Sequence, residues 1–458
     1  MLNASALRAA PPEAVPGGRL GRPGTPQMIR WTEDWTAPPS EDASLLDRIR
    51  HIPIHGDSTY LSIGGEARYY YTHNTHTELG TLENDGNYGL AERFRLIADL
   101  HVGPAFRIFT EVGTDQEYGE KILTPPNESG PDLRQAFLDG RVPLDGAGSL
   151  TIRLGRFEMP LGSGKLVSIR DLNVRRLFNG VRATYTLPGI LRVDGFDVRP
   201  VLLLDQPFDD GSVAGQSFRG IYATVFLKAL KLPLSFDSYI YRFERDQARM
   251  HGVAGADKRN TYGVRLYGQS HGLDYDLELV GQSGTFADMG IRAWAVLSEG
   301  GYTLDEIPST PRVFIRANAF SGDRSASDRM VNTFVAVSPK APLFTGADVG
   351  WFTFSNVVDA FPGLTSNPIP QVELTLGPQF FWRQTSNDGL YTMGGFPLAL
   401  HPSSSRFLGT SFNLEADWRV NRYLLLQLFA TYLALSDAAR SAGGMSASFV
   451  GFLVQFRF

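Results

Sequence analysis

Seven basic side chains fall between residues 153 and 182: Arg153, Arg156, Lys165, Arg170, Arg175, Arg176 and Arg182. Glu158 and Asp171 are the only acids there, so seven minus two leaves +5 inside a chain whose net charge is −5. A guanidinium stays charged at any working pH and meets a carboxylate through two parallel N–H bonds. A knot of such groups is suited to binding or steering carboxylated anions.

Other chemistries fit poorly. Gly162-Ser163-Gly164-Lys165 echoes a phosphate loop, but Met159 stands where its first glycine belongs. Arg170-Asp171-Leu172-Asn173 echoes a kinase loop without the other kinase motifs. There is no G-x-S-x-G or H-E-x-x-H run, and His101, His251 and His271 sit in or near turns. The absence of cysteine removes disulfides and thiolate metal sites. Asp205, Asp209, Asp210 and Asp237 form a weak calcium candidate at a loop. No cofactor and no catalytic residue are expected.

The elements that carry these charges read as long strands. Leu150, Ile152 and Leu154 alternate with Thr151, Arg153 and Gly155, and Val181, Ala183 and Tyr185 with Arg182 and Thr184. The alternation is clearest at 89–102, 272–283, 409–420 and 447–458. Further strands are expected at 59–73, 105–115, 132–142, 148–157, 179–187, 190–205, 218–228 and 232–245. The remaining ones fall at 260–269, 288–302, 311–322, 369–384 and 423–436. No apolar run is long enough for a membrane helix, which needs about 20 residues. Residues 1–57 read as a partly disordered extension with no core of its own and no export signal, as in an envelope protein whose leader is removed. Residues 58–458 read as the main body.

Short connections, such as Gly103-Pro104, Pro188-Gly189 and His271-Gly272, interleave with long ones at 74–88, 116–131, 158–178, 246–259, 323–345 and 385–408. Short turns on one side and long loops on the other mark an all-β, antiparallel transmembrane barrel of outer-membrane type. The side-to-side bookkeeping requires one more strand between 311–322 and 369–384, for which 346–356 is the candidate. That makes 18, an even number as closure demands. Tyr69, Tyr71, Trp294, Trp351, Trp382, Trp418 and Tyr432 are expected as interface girdles, and Phe458 fits a terminal strand.

Several runs resemble the alginate-export family of outer-membrane porins: YLSIGGEARYYY (60–71), ERFRLIADLHVG (92–103), LRQAFLDGRV (133–142) and LGRFEMPLGSGKLVSIRDLNVRRLFNGVRATY (154–185). NTFVAVSPKAPLFTGADVGWFTFSN (332–356), QFFWRQTSNDGLYTMGG (379–395) and SFNLEADWRVNRYLLL (411–426) extend the resemblance. It implies a monomeric 18-stranded barrel whose inward-folded loops narrow an arginine-lined lumen that passes an anionic polysaccharide.

By alternation the lumen-facing candidates are Arg68, Arg93, Arg95, Arg107, Arg153, Arg182, Arg316, Arg419 and Arg457, with Arg156 at a strand end. Lys165, Arg170, Asp171, Arg175 and Arg176 lie on the loop between, expected as a selectivity constriction that is partly tied to wall carboxylates. Glu66, Asp99, Glu111, Glu415 and Asp417 are candidate partners. Most strand arginines are expected simply to pair with neighbouring acids. The expected function is an outer-membrane channel for a uronate-type polysaccharide or oligosaccharide. The alternatives are a diffusion porin for small organic anions and a barrel-embedded hydrolase. Outer-membrane lipid, the anionic saccharide and periplasmic secretion proteins are the expected partners, with no nucleic acid.

Overall fold

The computed structural model describes residues 25–458 except 57, 82–85, 122–127, 145–146, 172, 228–232, 251, 326, 341–350, 392–396, 399 and 402. The expectation of disorder in the first residues therefore lies outside the described residues.

Eighteen long strands form one antiparallel ring. The first half comprises β1 (Thr59–Asn74), β2 (Asn87–Val102), β3 (Phe106–Tyr118), β4 (Ser129–Pro143), β5 (Ser149–Phe157), β6 (Phe178–Leu187), β7 (Leu191–Leu202), β8 (Gln216–Phe226) and β9 (Leu234–Met250). The second half comprises β10 (Val253–Ser270), β11 (Leu273–Phe286), β12 (Met289–Thr303), β13 (Arg312–Phe320), β14 (Val357–Ile369), β15 (Val372–Arg383), β16 (Phe407–Arg419), β17 (Leu424–Leu435) and β18 (Ala447–Arg457). Each pairs with the next, and β1 pairs with β18 in the register Glu66↔Arg457. Closure leaves no sheet edge, so the backbone groups of the wall are satisfied without water.

The wall is turned inside out relative to a soluble protein. On β2, Leu90, Phe94 and Leu96 are exposed on the outside, whereas Arg93, Arg95 and Asp99 at the alternate positions are buried inside. Tyr69, Tyr71, Trp294, Trp418 and Tyr432 likewise face outward. A contiguous apolar belt of this kind is stable only against lipid.

Three expectations are corrected. The strand placed at 346–356 is β14, Val357–Ile369; residues 351–356 are bends inside the barrel, and 346–350 lie outside the described residues. The apolar run Trp351, Phe352 and Phe354 is buried among loop side chains such as Phe334 and Leu390. Trp351 is thus no girdle residue, and Trp382 is half-buried. The segment 246–259 is not a long loop: β9 and β10 extend through it, paired from Arg245↔Asp257 to Met250↔Val253 with a bulge between Arg245 and Ala248.

Residues 29–35 fold inward. Ile29 and Trp31 join a lumenal cluster with Phe109, Phe137, Phe157 and Phe196. Arg30 donates to the carbonyl oxygens of Gly65 (2.9 Å) and Phe458 (2.6 Å), and Arg30 and Arg50 both pair with buried Glu33.

Candidate functional site

The connection from β5 to β6, residues 158–177, leaves the wall where Gly155 and Gly180 face each other. Both glycines have positive φ, and a Cβ on either would lie 2.2–2.3 Å from a carbonyl oxygen of the adjoining strand. Only glycine fits there. The loop then packs its apolar residues on the wall: Met159, Leu161, Val167 and Ile169 join the aromatic cluster of β3 to β9. Gly162, at φ +56, passes so close to the Tyr222 hydroxyl that a Cβ would sit 2.1 Å from it.

The loop spans the lumen. At one end the Arg68 and Arg93 side chains of β1 and β2 bind Asp171; at the other Lys165 reaches Asp276 of β11 at 3.3 Å. Strands two and eleven stand opposite one another in a ring of 18. The β13–β14 connection meets the loop there, with Ser168 N–H donating to Ser338 O (2.8 Å), Ser338 N–H to Leu166 O (3.1 Å) and Lys340 N–H to Lys165 O (2.8 Å). Two inward segments are therefore zipped backbone to backbone.

The basic residues divide into two groups by partner. Arg93 is fully buried and contacts Glu66 (3.0 Å), Asp171 (2.9 Å) and Asp115 (3.8 Å). Arg95 holds Asp115 (2.6 Å) and Glu111 (3.2 Å), and Arg457 holds Glu66 (2.8 Å). Arg107 pairs with Asp99 (2.7 Å) and Arg182 with Asp194 (2.9 Å). Arg153 pairs with Asp139 at 2.7 Å between the rings of Trp31 and Phe137. Arg156 contacts Asp132 at 3.4 Å and donates to Leu133 O and Asp210 O, tying β5 to a rim loop. Arg175 joins Asp171 (2.8 Å), Glu158 (3.2 Å) and the Met28 carbonyl (3.0 Å). These groups are wall and loop fasteners.

The second group has no carboxylate within ion-pair distance among the described residues. Arg170 and Arg176 are half-buried on the loop, and Arg170 has the left-handed φ of 48°. Burial lowers the Arg170 guanidinium; burial and then Arg170 pull Arg176 down to about 10. Arg316 of β13 lies over the Phe361 ring at 4.9 Å. Lys340 is exposed, within electrostatic reach of Arg316, Lys165 and Glu415. Arg419 is exposed at the short-turn end of β16, on the strand that carries half-buried Glu415 and Asp417.

Asp171 sits between the groups. Burial pushes its carboxyl up, but Arg175, Arg93 and Arg68 outweigh that and hold it well below the usual range. Glu158 goes the other way: burial lifts it to about 7 against the opposition of Arg175, with Glu111 adding to the rise.

Alternation placed the wall arginines on the inner face but says nothing of their partners. It also gave no sign of Lys340 or of Trp31, although MIRWTEDW, an aromatic and charged run in an otherwise sparse stretch, was a signal. The calcium candidate is revised. Asp237 instead pairs with Arg265 (3.2 Å) and accepts from Tyr222, while Asp132 joins Asp209 and Asp210. Arg134 and Arg156 reach into that acidic group and neutralise it.

A family model described as alginate export matches residues 59–452. No curated protein matches. Among solved structures the chain is similar to OpdO of Pseudomonas aeruginosa, with 12% identity, TM-score 0.58 and coverage of 87% of this chain and 97% of that one. It is similar to OpdK of the same organism in a structure with vanillate, at 12% identity and TM-score 0.57, covering 87% and 98%. A BenF-like porin from Pseudomonas fluorescens shows 10% identity and TM-score 0.57, again covering 87% and 98%. At such identities the likeness is one of fold, an outer-membrane porin barrel. The apolar belt, the closed ring of 18 strands and a model match spanning nearly all of that ring converge: the chain is a bacterial outer-membrane channel that belongs to the alginate export family.

Proposed function

We propose that the chain conducts anionic solutes, foremost uronate-type oligosaccharides or polysaccharides, down a gradient without turnover or cofactor, working as a monomer. The supporting observation is the group of cations that lack carboxylate partners: Arg170, Arg176 and Lys340 on the two joined inward segments, and Arg316 on the wall. Dispersed, half-hydrated cations hold a carboxylate weakly enough to release it, and several in sequence let a polyanion pass by exchange.

A second reading, a porin for small organic anions, is favoured by the way the two segments narrow the bore and by the OpdK structure with vanillate. Planar-bilayer recording separates the readings. Anion-selective current blocked by uronate oligomers supports the first, and current carried by small carboxylates without oligomer block supports the second. A silent barrel with hydrolytic activity overturns both. In the double variant R170A/R176A we expect the chloride-to-sodium permeability ratio to fall several-fold, with heat-modifiable migration retained. An unchanged ratio removes these residues from the path.

A further inference from the structure

Three guanidiniums converge on one oxygen of one carboxylate. Asp171 Oδ1 lies 2.8 Å from Arg175 Nε, 2.9 Å from Arg93 Nη1 and 3.5 Å from Arg68 Nη1. The three arginine side chains are 4%, 0% and 2% exposed, whereas the Asp171 side chain is 25% exposed. The nest is thus closed on its protein side and open only where the carboxylate stands. Arg170, in its left-handed turn, and Arg176, which lacks a carboxylate partner among the described residues, lie on the same loop, one and five residues away in sequence.

We propose that Asp171 is a built-in stand-in for the permeating carboxylate: it occupies the guanidinium nest between passages and competes with each incoming uronate group for it. This rests on the anion-channel reading. With Asp171 withdrawn, Arg93 keeps Glu66 and Asp115 and Arg175 keeps Glu158, but the nest is one negative charge short. Buried positive charge left uncompensated is costly, so a solute carboxylate captured first by Arg170 and Arg176 enters as Asp171 swings out. The return of Asp171 then ejects the guest. The tethered acid shortens residence in a site that would otherwise trap polyanions; its side chain is 25% exposed and held by charge, whereas Met159, Leu161, Val167 and Ile169 are held by apolar packing.

The test is bilayer recording of the full chain with glucuronate and a short uronate oligomer as blockers. In D171N, which keeps the shape and removes the charge, the half-blocking concentration of both should fall about tenfold, with longer blocked intervals. In D171E, whose carboxylate still reaches the nest, it should stay the same or rise. If D171N gives no heat-modifiable barrel, Asp171→Ser, smaller and also neutral, carries the same expected fall. A folded neutral variant with block within twofold of the parent overturns the stand-in role. The R170A/R176A variant keeps that failure distinct. Loss of block there with no change in D171N refutes only the competitor, whereas no change in either refutes the anion path itself.

Discussion

At the residue scale, the partner of a charged side chain decides its role more than its type does. Arg175 and Arg176 are neighbours in sequence, yet Arg175 is fixed among Asp171, Glu158 and the Met28 carbonyl. Arg176 turns away with no carboxylate partner among the described residues. Glu158 adds a pH handle because its folded-state value, about 7, lies above the ordinary carboxylate range. An acid raised on folding contributes stability at low pH that is lost as pH rises from about 4.5 to about 7. Over the upper part of that window Glu158 gains a negative charge beside Arg175. We therefore expect the anion preference of the parent channel to weaken from pH 6 to pH 8, and E158Q to show a flat profile. A parent profile as flat as that of E158Q contradicts the assignment.

At the element scale, the crossing loop holds its place through a tight backbone approach and an apolar underside. Replacing Gly162 by Ala forces a Cβ against Tyr222 at a backbone angle that side chains resist, a strain on the order of 1–3 kcal/mol. We expect G162A to retain the barrel but to show frequent excursions to a larger conductance as the loop lifts; a single unchanged conductance level contradicts this. The regular elements were legible in the sequence where one face meets lipid and the other meets charge. Phe94-Arg95-Leu96 on β2 is such a case. β14 was not legible, because VVDAFPGLTSNPI carries Pro362, Gly363 and Pro368 and its lower half is partly exposed on both faces. The aromatic run just before it imitated a strand while filling the lumen. The site itself was legible only as a charge excess, since Glu66, Asp115 and Asp276, which help decide which basic residues are spoken for, lie outside the 153–182 segment.

At the scale of the whole molecule, ion pairs bind the ring to its contents. Glu66 accepts from Arg457 across the seam between β1 and β18, from Arg93 on β2, and faces Arg175 of the crossing loop at 3.9 Å. Removing its charge takes the ion-pair partner from Arg457 and one of several from Arg93 and Arg175, and breaking a buried pair costs about 3–5 kcal/mol. E66Q should therefore lower the unfolding midpoint in urea or heat, whereas K165Q, which removes a partly exposed lysine from an Asp276 that keeps Arg265, should shift it by a far smaller amount. Equal midpoints for E66Q and the parent would show that the seam does not depend on this carboxylate.

The inward course of residues 29–35 also bears on how the ring is held shut. Arg30 donates at once to Gly65 on the first strand and to Phe458 just beyond the last. Those two acceptors stand side by side only when the ring has shut, so this residue can find both of them at no earlier stage of assembly. Both bonds therefore form with ring closure or after it, never before. One guanidinium thus acts as a clasp over the join of the hoop, and its paired grip exists only in the finished cylinder.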